Sequence, residues 1–142
     1  AETGQQAILA FSGEVFNGLQ ARSLGEEDLL FAQEHVRILS GLYGVLKPLD
    51  LILPYRLEMG TKMPNPGGRN LYEFWSGIIP EQISRETAGQ EPPVLINLAS
   101  NEYVKSIQPG SFPHEIITPV FKESDGAGFR NVTITIQIAG ID

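Results

Sequence analysis

"ILSGLYGVLKPLDLILPYRLEMG", residues 38–60, is the stretch on which the reading of this chain turns. It opens as an apolar run suited to a buried strand. It then changes to Gly41, Tyr43, Gly44, Lys47, Asp50, Tyr55, Arg56 and Glu58, interrupted by Pro48 and Pro54. Charged and hydroxyl groups cost free energy when buried without partners, so this mixture fits a surface that receives a ligand better than it fits a core.

Immediately upstream, "VRILSGL" (36–42) is short, apolar and β-branched at two positions, which fits a buried strand or the prolongation of a helix. Before it, Ser23 and Glu26 have the spacing of a capping box, Glu26, Glu27 and Asp28 favour the positive end of a helix dipole, and Leu29, Ala32 and Val36 recur at helical spacing. A helix running to about His35 is expected. "AILAF" (7–11) reads as a strand, and residues 43–70, rich in glycine and proline, read mostly as loop.

Downstream, Asn70 and Glu73 form a second cap signal, followed by an apolar stripe of Leu71, Phe74, Trp75, Ile78 and Ile79 that belongs to a core. Pro80 lacks a backbone donor and should kink this helix or begin another. "QEPPVLINLAS" (90–100) reads as a strand with "NEYVKSI" as a helix behind it, while "EIITPVF" (115–121) and "FRNVTITIQI" (129–138), joined by the turn "SDGAG", read as antiparallel strands. The expected class is α/β, with mixed α+β as the alternative: one domain over residues 1–142, a mixed sheet carrying helices, and a ligand crevice at the strands' carboxyl ends.

With 142 residues, 42% of them hydrophobic, the chain can bury one core. No run approaches the roughly 20 apolar residues that cross a bilayer, and the first residues lack the pattern of a signal peptide, so a cytoplasmic protein without membrane contact is expected. The absence of cysteine removes disulfides, thiolate nucleophiles and most structural zinc sites. His35 and His114 have no metal-ligand spacing, and neither a metal nor another cofactor is expected.

The net charge of -7 opposes nonspecific attraction to nucleic acid, yet the charges are unevenly placed. Residues 1–35 carry one base and six acids and residues 73–142 four and nine, whereas residues 36–72 carry five bases and two acids. The basic segment contains the opening stretch.

In sheets joined by helices, ligands collect beyond the strands' carboxyl ends. Two stretches end that way, "LSGLYG" leading to "PYRLE", and "NLASNEY". If their strands are neighbours, Ser40, Gly41, Tyr43, Gly44, Lys47, Tyr55, Arg56, Lys62 and Arg69 would face Asn97, Ser100, Tyr103 and Lys105 as a DNA- or nucleotide-binding set. Tyrosines stack on bases, a guanidinium forks onto phosphate, and amides read base edges. Glu58, Glu102 and Tyr55 are the candidates for acid–base chemistry. Each also has a plainer reading: the glycines shape a turn, Tyr55 closes a core edge, and Arg56 pairs with Glu58 at the surface.

"GEVFNGL", "LSGLYGVLKPLDLILPYRLEMG", "NLYEFW" and "INLASNEYVKSI" together closely resemble the YaaA family of bacterial peroxide stress proteins. The resemblance runs from about Gln5 to Val132 and corresponds to the middle of a family member. It lacks an upstream "ILISPAKTL"-like segment and a basic "AKKARG"-like run, so a fragment of a longer protein is expected. The resemblance implies a protein that limits oxidative DNA damage, linked to lowered free intracellular iron, and that binds DNA, expected to be duplex, through a positive cleft and a helix-hairpin-helix-like element. "LSGLYGVLKPLDLI" would be that hairpin, although its G-L-Y-G is one residue wider than the usual turn. The alternative is an enzyme acting on a nucleobase or nucleoside in the same crevice.

Overall fold

The computed structural model describes residues 4–124 and 126–131. The chain opens with strand β1 (Gln5–Gln6) and a single helical turn α1 (Ala7–Ala10), followed by helices α2 (Glu14–Leu19) and α3 (Glu26–His35). "AILAF" is therefore a helical turn and not a strand. A five-residue apolar run has no clear period of its own, and tertiary contacts decide it. Here Ala7 N–H donates to Asp50 O at 2.8 Å and Ile8 N–H to Pro48 O at 2.9 Å, while Phe11 N–H closes the turn on Ala7 O.

Helix α3 ends at His35, as its pattern predicts, but the capping box does not form. Gly25 is the N-cap, and the Ser23 hydroxyl donates to Gln20 O at 2.7 Å inside a preceding 3-10 turn. The backbone's left-handed excursion at Gln20 (φ +50°) redirects Ser23 before it can reach the helix.

Strands β2 (Ile38–Ser40) and β3 (Gly44–Leu46) make an antiparallel hairpin pairing Ile38 with Leu46 and Ser40 with Gly44. The expected helix-hairpin-helix element is thus a hairpin of strands. The β-branched Val36 and Ile38 at the entry favour extended backbone, and Pro48 and Pro54 deny the following segment the donors a helix needs. Strand β4 (Leu51–Ile52) then pairs with β1. Within the segment expected to be mostly loop, residues 44–46 and 51–52 are strand.

Helix α4 (Leu71–Trp75) starts where Asn70 Oδ1 accepts from Glu73 N–H at 2.9 Å, as its cap signal predicts. Gly77 (φ +80°) breaks the apolar stripe, and α5 (Ile78–Ala88) follows with Pro80 in its first turn. The break rotates the stripe, so Leu71 and Ile79 are buried while Phe74 and Ile78 are exposed. Strand β5 (Val94–Ile96), helix α6 (Asn101–Val104) and strand β6 (Glu115–Ile117) complete this part, with β5 and β6 parallel. Strands β7 (Lys122–Ser124) and β8 (Phe129–Asn131) form the last hairpin among the described residues. Residues 129–131 therefore return beside Lys122–Ser124 and not beside 115–117; the remainder of the expected strand, 132–138, lies outside the described residues.

The class is mixed α/β, with helices among short parallel and antiparallel pairs. In place of one mixed sheet, the described strands are distributed over four two-stranded ladders, because proline- and glycine-rich connections keep each strand to two or three residues. Two apolar clusters hold them. One gathers Met59, Leu71, Ile79, Ile83, Tyr103 and Ile107; the other gathers Ala7, Phe11, Ile38, Leu46 and Ile52. Full burial of an isoleucine such as Ile79 contributes about 1.5–3 kcal/mol. Among the described residues no helix is long and apolar enough to cross a membrane.

Candidate functional site

The β2–β3 turn places Ser40 and Tyr43 on the chain segment that also carries Tyr55. The Ser40 hydroxyl lies 2.6 Å from the Tyr55 hydroxyl and accepts the backbone N–H of Tyr43 at 3.0 Å. The two tyrosine rings meet edge to face with centroids 5.5 Å apart. Leu53 N–H donates to the Tyr43 hydroxyl at 3.1 Å. Burial pushes the Tyr55 phenol above its ordinary value; its bond to Ser40 lowers it and Tyr43 raises it again. At neutral pH Tyr55 is a neutral hydroxyl that can donate and accept a hydrogen bond.

The two glycines of this turn have separate reasons. A Cβ at Gly41 would meet Leu57 O at 2.9 Å, so glycine allows the 57–58 backbone to pass close by. Gly44 has φ +80°, and a Cβ there would meet the Trp75 ring at 2.8 Å. Trp75 also donates its indole N–H to Gly41 O at 2.9 Å.

The second stretch meets the first at residues 57–60. Glu102 Oε1 accepts from Gly60 N–H at 2.8 Å, and the Glu102 carbonyl accepts from the Tyr72 hydroxyl at 2.7 Å. Tyr103 is buried and shares a backbone hydrogen bond with Met59. Burial pushes its phenol up to about 12; the Met59 bond lowers it, and Glu102, Tyr55 and Glu58 raise it further. Burial likewise raises the Tyr72 phenol, with Glu102 adding to the effect.

The structure thus joins Ser40, Gly41, Tyr43, Gly44 and Tyr55 into one cluster and brings Glu58, Glu102 and Tyr103 to its edge. Other candidates stand apart in what they touch. Asn97 Oδ1 accepts from Ala99 N–H at 2.9 Å and its amide reaches Thr118 at 3.4 Å, which ties it to the end of the β5–β6 ladder. The Ser100 carbonyl accepts from Tyr103 and Val104 at the start of α6, and Lys105 is exposed in the next turn. Lys47, Arg56, Lys62 and Arg69 are exposed along the connecting chain. Two of these have backbone roles: Lys47 N–H donates to Asp50 Oδ2 at 2.8 Å and Arg69 N–H to Glu73 Oε2 at 2.6 Å. The fifth base of the segment, Arg37, is held by Glu86 at 2.6 Å.

Tyr72, Trp75 and Gly60 were missed by sequence reasoning. The motif "NLYEFW" signals Tyr72 and Trp75 only as part of a helix, and Gly60 ends the 39–60 motif with no sign of its partner, since a partner 30 or more positions away leaves no local trace. Among the described residues, no group of three or more His, Asp or Glu side chains converges as a metal site would.

The cluster is made from three of the chain's four motifs, 39–60, 70–75 and 96–107, which fold against one another through Trp75, Glu102 and Tyr103. A family model described as peroxide stress protein YaaA matches residues 1–138, nearly the entire sequence. On that match, the chain belongs to the YaaA family of peroxide stress proteins.

Proposed function

We propose that, within the peroxide stress response that its family name denotes, this protein binds duplex DNA through the exposed bases of residues 47–69 and protects it from oxidative damage, alongside a lowering of free iron in the cell. The observation that carries this reading is that Lys47, Arg56, Lys62 and Arg69 are all exposed on one 23-residue stretch of a chain whose net charge is -7. Phosphate binding draws its affinity from counterions released by such groups. The cluster of Ser40, Tyr43 and Tyr55 supports the reading by holding the chain that bears two of the four bases, and the close passage of backbone at Gly41 keeps that scaffold compact.

The test is charge reversal of Arg56 and Arg69 in the 142-residue chain, Arg56→Glu with Arg69→Glu, followed by duplex affinity across a salt series. Each phosphate that is no longer neutralised removes about 0.9 from the slope of log affinity against log salt. A fall of about 2 in that slope is expected. An unchanged slope removes the phosphate assignment.

A second reading, an enzyme acting on a nucleobase or nucleoside, draws on the paired rings of Tyr43 and Tyr55 as a stacking surface with Glu58 nearby. It is the weaker one, because the Glu102 carboxylate and the Asn97 amide both have backbone partners already. A thermal-shift screen of nucleosides and nucleotides separates the two, since a ligand that binds the native state raises its midpoint.

A further inference from the structure

The turn Lys47–Asp50 carries the first of the exposed bases, and its backbone is held from three directions. Within the turn, Lys47 N–H donates to Asp50 Oδ2 at 2.8 Å and Asp50 N–H donates to Lys47 O at 3.1 Å. From α1, Ile8 N–H reaches Pro48 O at 2.9 Å and Ala7 N–H reaches Asp50 O at 2.8 Å. From α3, the side-chain carbonyl of Gln33 accepts the N–H of Leu49 at 2.9 Å.

Every N–H of this turn is thereby taken, and Pro48 within it is fully buried. Surface connections commonly leave backbone groups to water and keep freedom of movement, so a turn held this completely fixes the root of its exposed lysine. Gln33 is itself anchored: Arg37 donates to its backbone carbonyl at 2.7 Å, and Glu86 of α5 holds Arg37 at 2.6 Å. The Gln33 side-chain bond spans 16 residues and ends on the turn, not within α3.

We propose that Gln33 is a positioning residue for phosphate binding: acting through the Lys47–Asp50 turn, it presets Lys47 as the anchoring contact among the bases of residues 47–69. The proposal rests on the duplex-binding reading and adds an order among its bases. A lysine ammonium meets phosphate as a point charge on a flexible stem, so its contribution depends on how much freedom is left to lose on binding. Fixing the backbone beneath it removes the part of that loss that belongs to the turn. Gln33 acts only by holding the Leu49 amide.

The experiment measures the affinity of the 142-residue chain for a labelled duplex of mixed sequence across a salt series. Lys47→Met should lower the slope of log affinity against log salt by about 0.9. Gln33→Met replaces one good helix former by another without changing charge, and should weaken binding about three- to tenfold, the scale of one immobilised side chain. In the Lys47→Met background it should weaken binding no further, which a merely structural role would not give. Amide exchange should quicken at Leu49 and stay unchanged at Ile83 of the buried cluster, as a loosened turn in an intact fold requires. The proposal is overturned if Lys47→Met keeps the parent slope, if Gln33→Met binds as tightly as the parent, or if it weakens both backgrounds equally. A Gln33→Met chain that unfolds also overturns it, since Gln33 then holds the fold and not the turn. Loss of slope in Arg56→Glu with Arg69→Glu but not in Lys47→Met leaves the duplex reading standing and sinks this proposal alone, whereas a parent chain that binds no duplex sinks both.

Discussion

The indole N–H of Trp75 donates to the carbonyl of Gly41 at 2.9 Å, and the face of the same ring occupies the space that a side chain at Gly44 would need. One side chain from α4 thus sets both ends of the β2–β3 turn. The turn presents Ser40 and Tyr43, so the shape of the candidate site depends on a residue more than 30 positions away in sequence.

Gly44→Ala should therefore cost more than glycine's freedom alone would predict. The left-handed backbone at Gly44 (φ +80°) penalises any Cβ, and the contact at 2.8 Å with Trp75 adds steric strain, for a loss of roughly 2–4 kcal/mol. Gly77 has the same φ of +80° with nothing within 4 Å of a built Cβ, so Gly77→Ala should cost only about 1–2 kcal/mol. Urea unfolding followed by the fluorescence of Trp75, the single tryptophan, compares the two. Equal losses would mean that the ring yields freely.

The two cap signals should separate in the same way. Asn70→Ala removes the acceptor for Glu73 N–H and should destabilise by about 1 kcal/mol. Ser23→Ala should cost less than about 0.5 kcal/mol, since the Ser23 hydroxyl is exposed, bonds only within its own turn and does not cap α3. Thermal midpoints of the two variants would reverse in order if the capping box formed in solution.

Arg37 and Glu86 join the entry of β2 to α5 at 2.6 Å, with the arginine side chain 16% exposed. Arg37 also donates to the carbonyls of Gln33 and Val36 at 2.7 Å. A double-mutant cycle on this pair should return a coupling of about 1–2 kcal/mol. The exposed pair Arg85–Glu81, one helical turn apart, should return no more than about 0.5 kcal/mol.

Tyr103 should make the fold sensitive to alkali. Its phenol is pushed up to about 12 by burial, against an ordinary value near 10, so the folded state holds the proton more tightly than the unfolded state. Below pH 10 both states are protonated and the full stability is present. Between pH 10 and about 12 the unfolded chain ionises first, and stability falls. Denaturant titrations across this window should show the fall, and Tyr103→Phe should flatten it, with a constant loss at neutral pH from the missing Met59 bond. An unchanged alkaline slope in that variant would assign the effect to other tyrosines.

Signals that act within a few residues were legible from sequence alone. The Asn70 cap names its own donor three positions on, the helix 26–35 stops where its apolar period stops, and the runs 38–40, 94–96 and 115–117 are extended because β-branched residues favour that backbone. The charge asymmetry was also plain, as was the membership of Ser40, Tyr43 and Tyr55 in one stretch. Only the tertiary structure decided the rest. "AILAF" became a helical turn because backbone carbonyls at 48 and 50 captured its first amides, and β5 took β6 as its parallel partner. Glu102 gave its carboxylate to Gly60, 42 residues away, and Trp75 gave its indole to Gly41, 34 residues away. The physical reason is one of range: a cap or a turn is settled by bonds that close over three or four residues, whereas the pairing of strands and the destination of a buried polar group depend on which distant segments exclude water together.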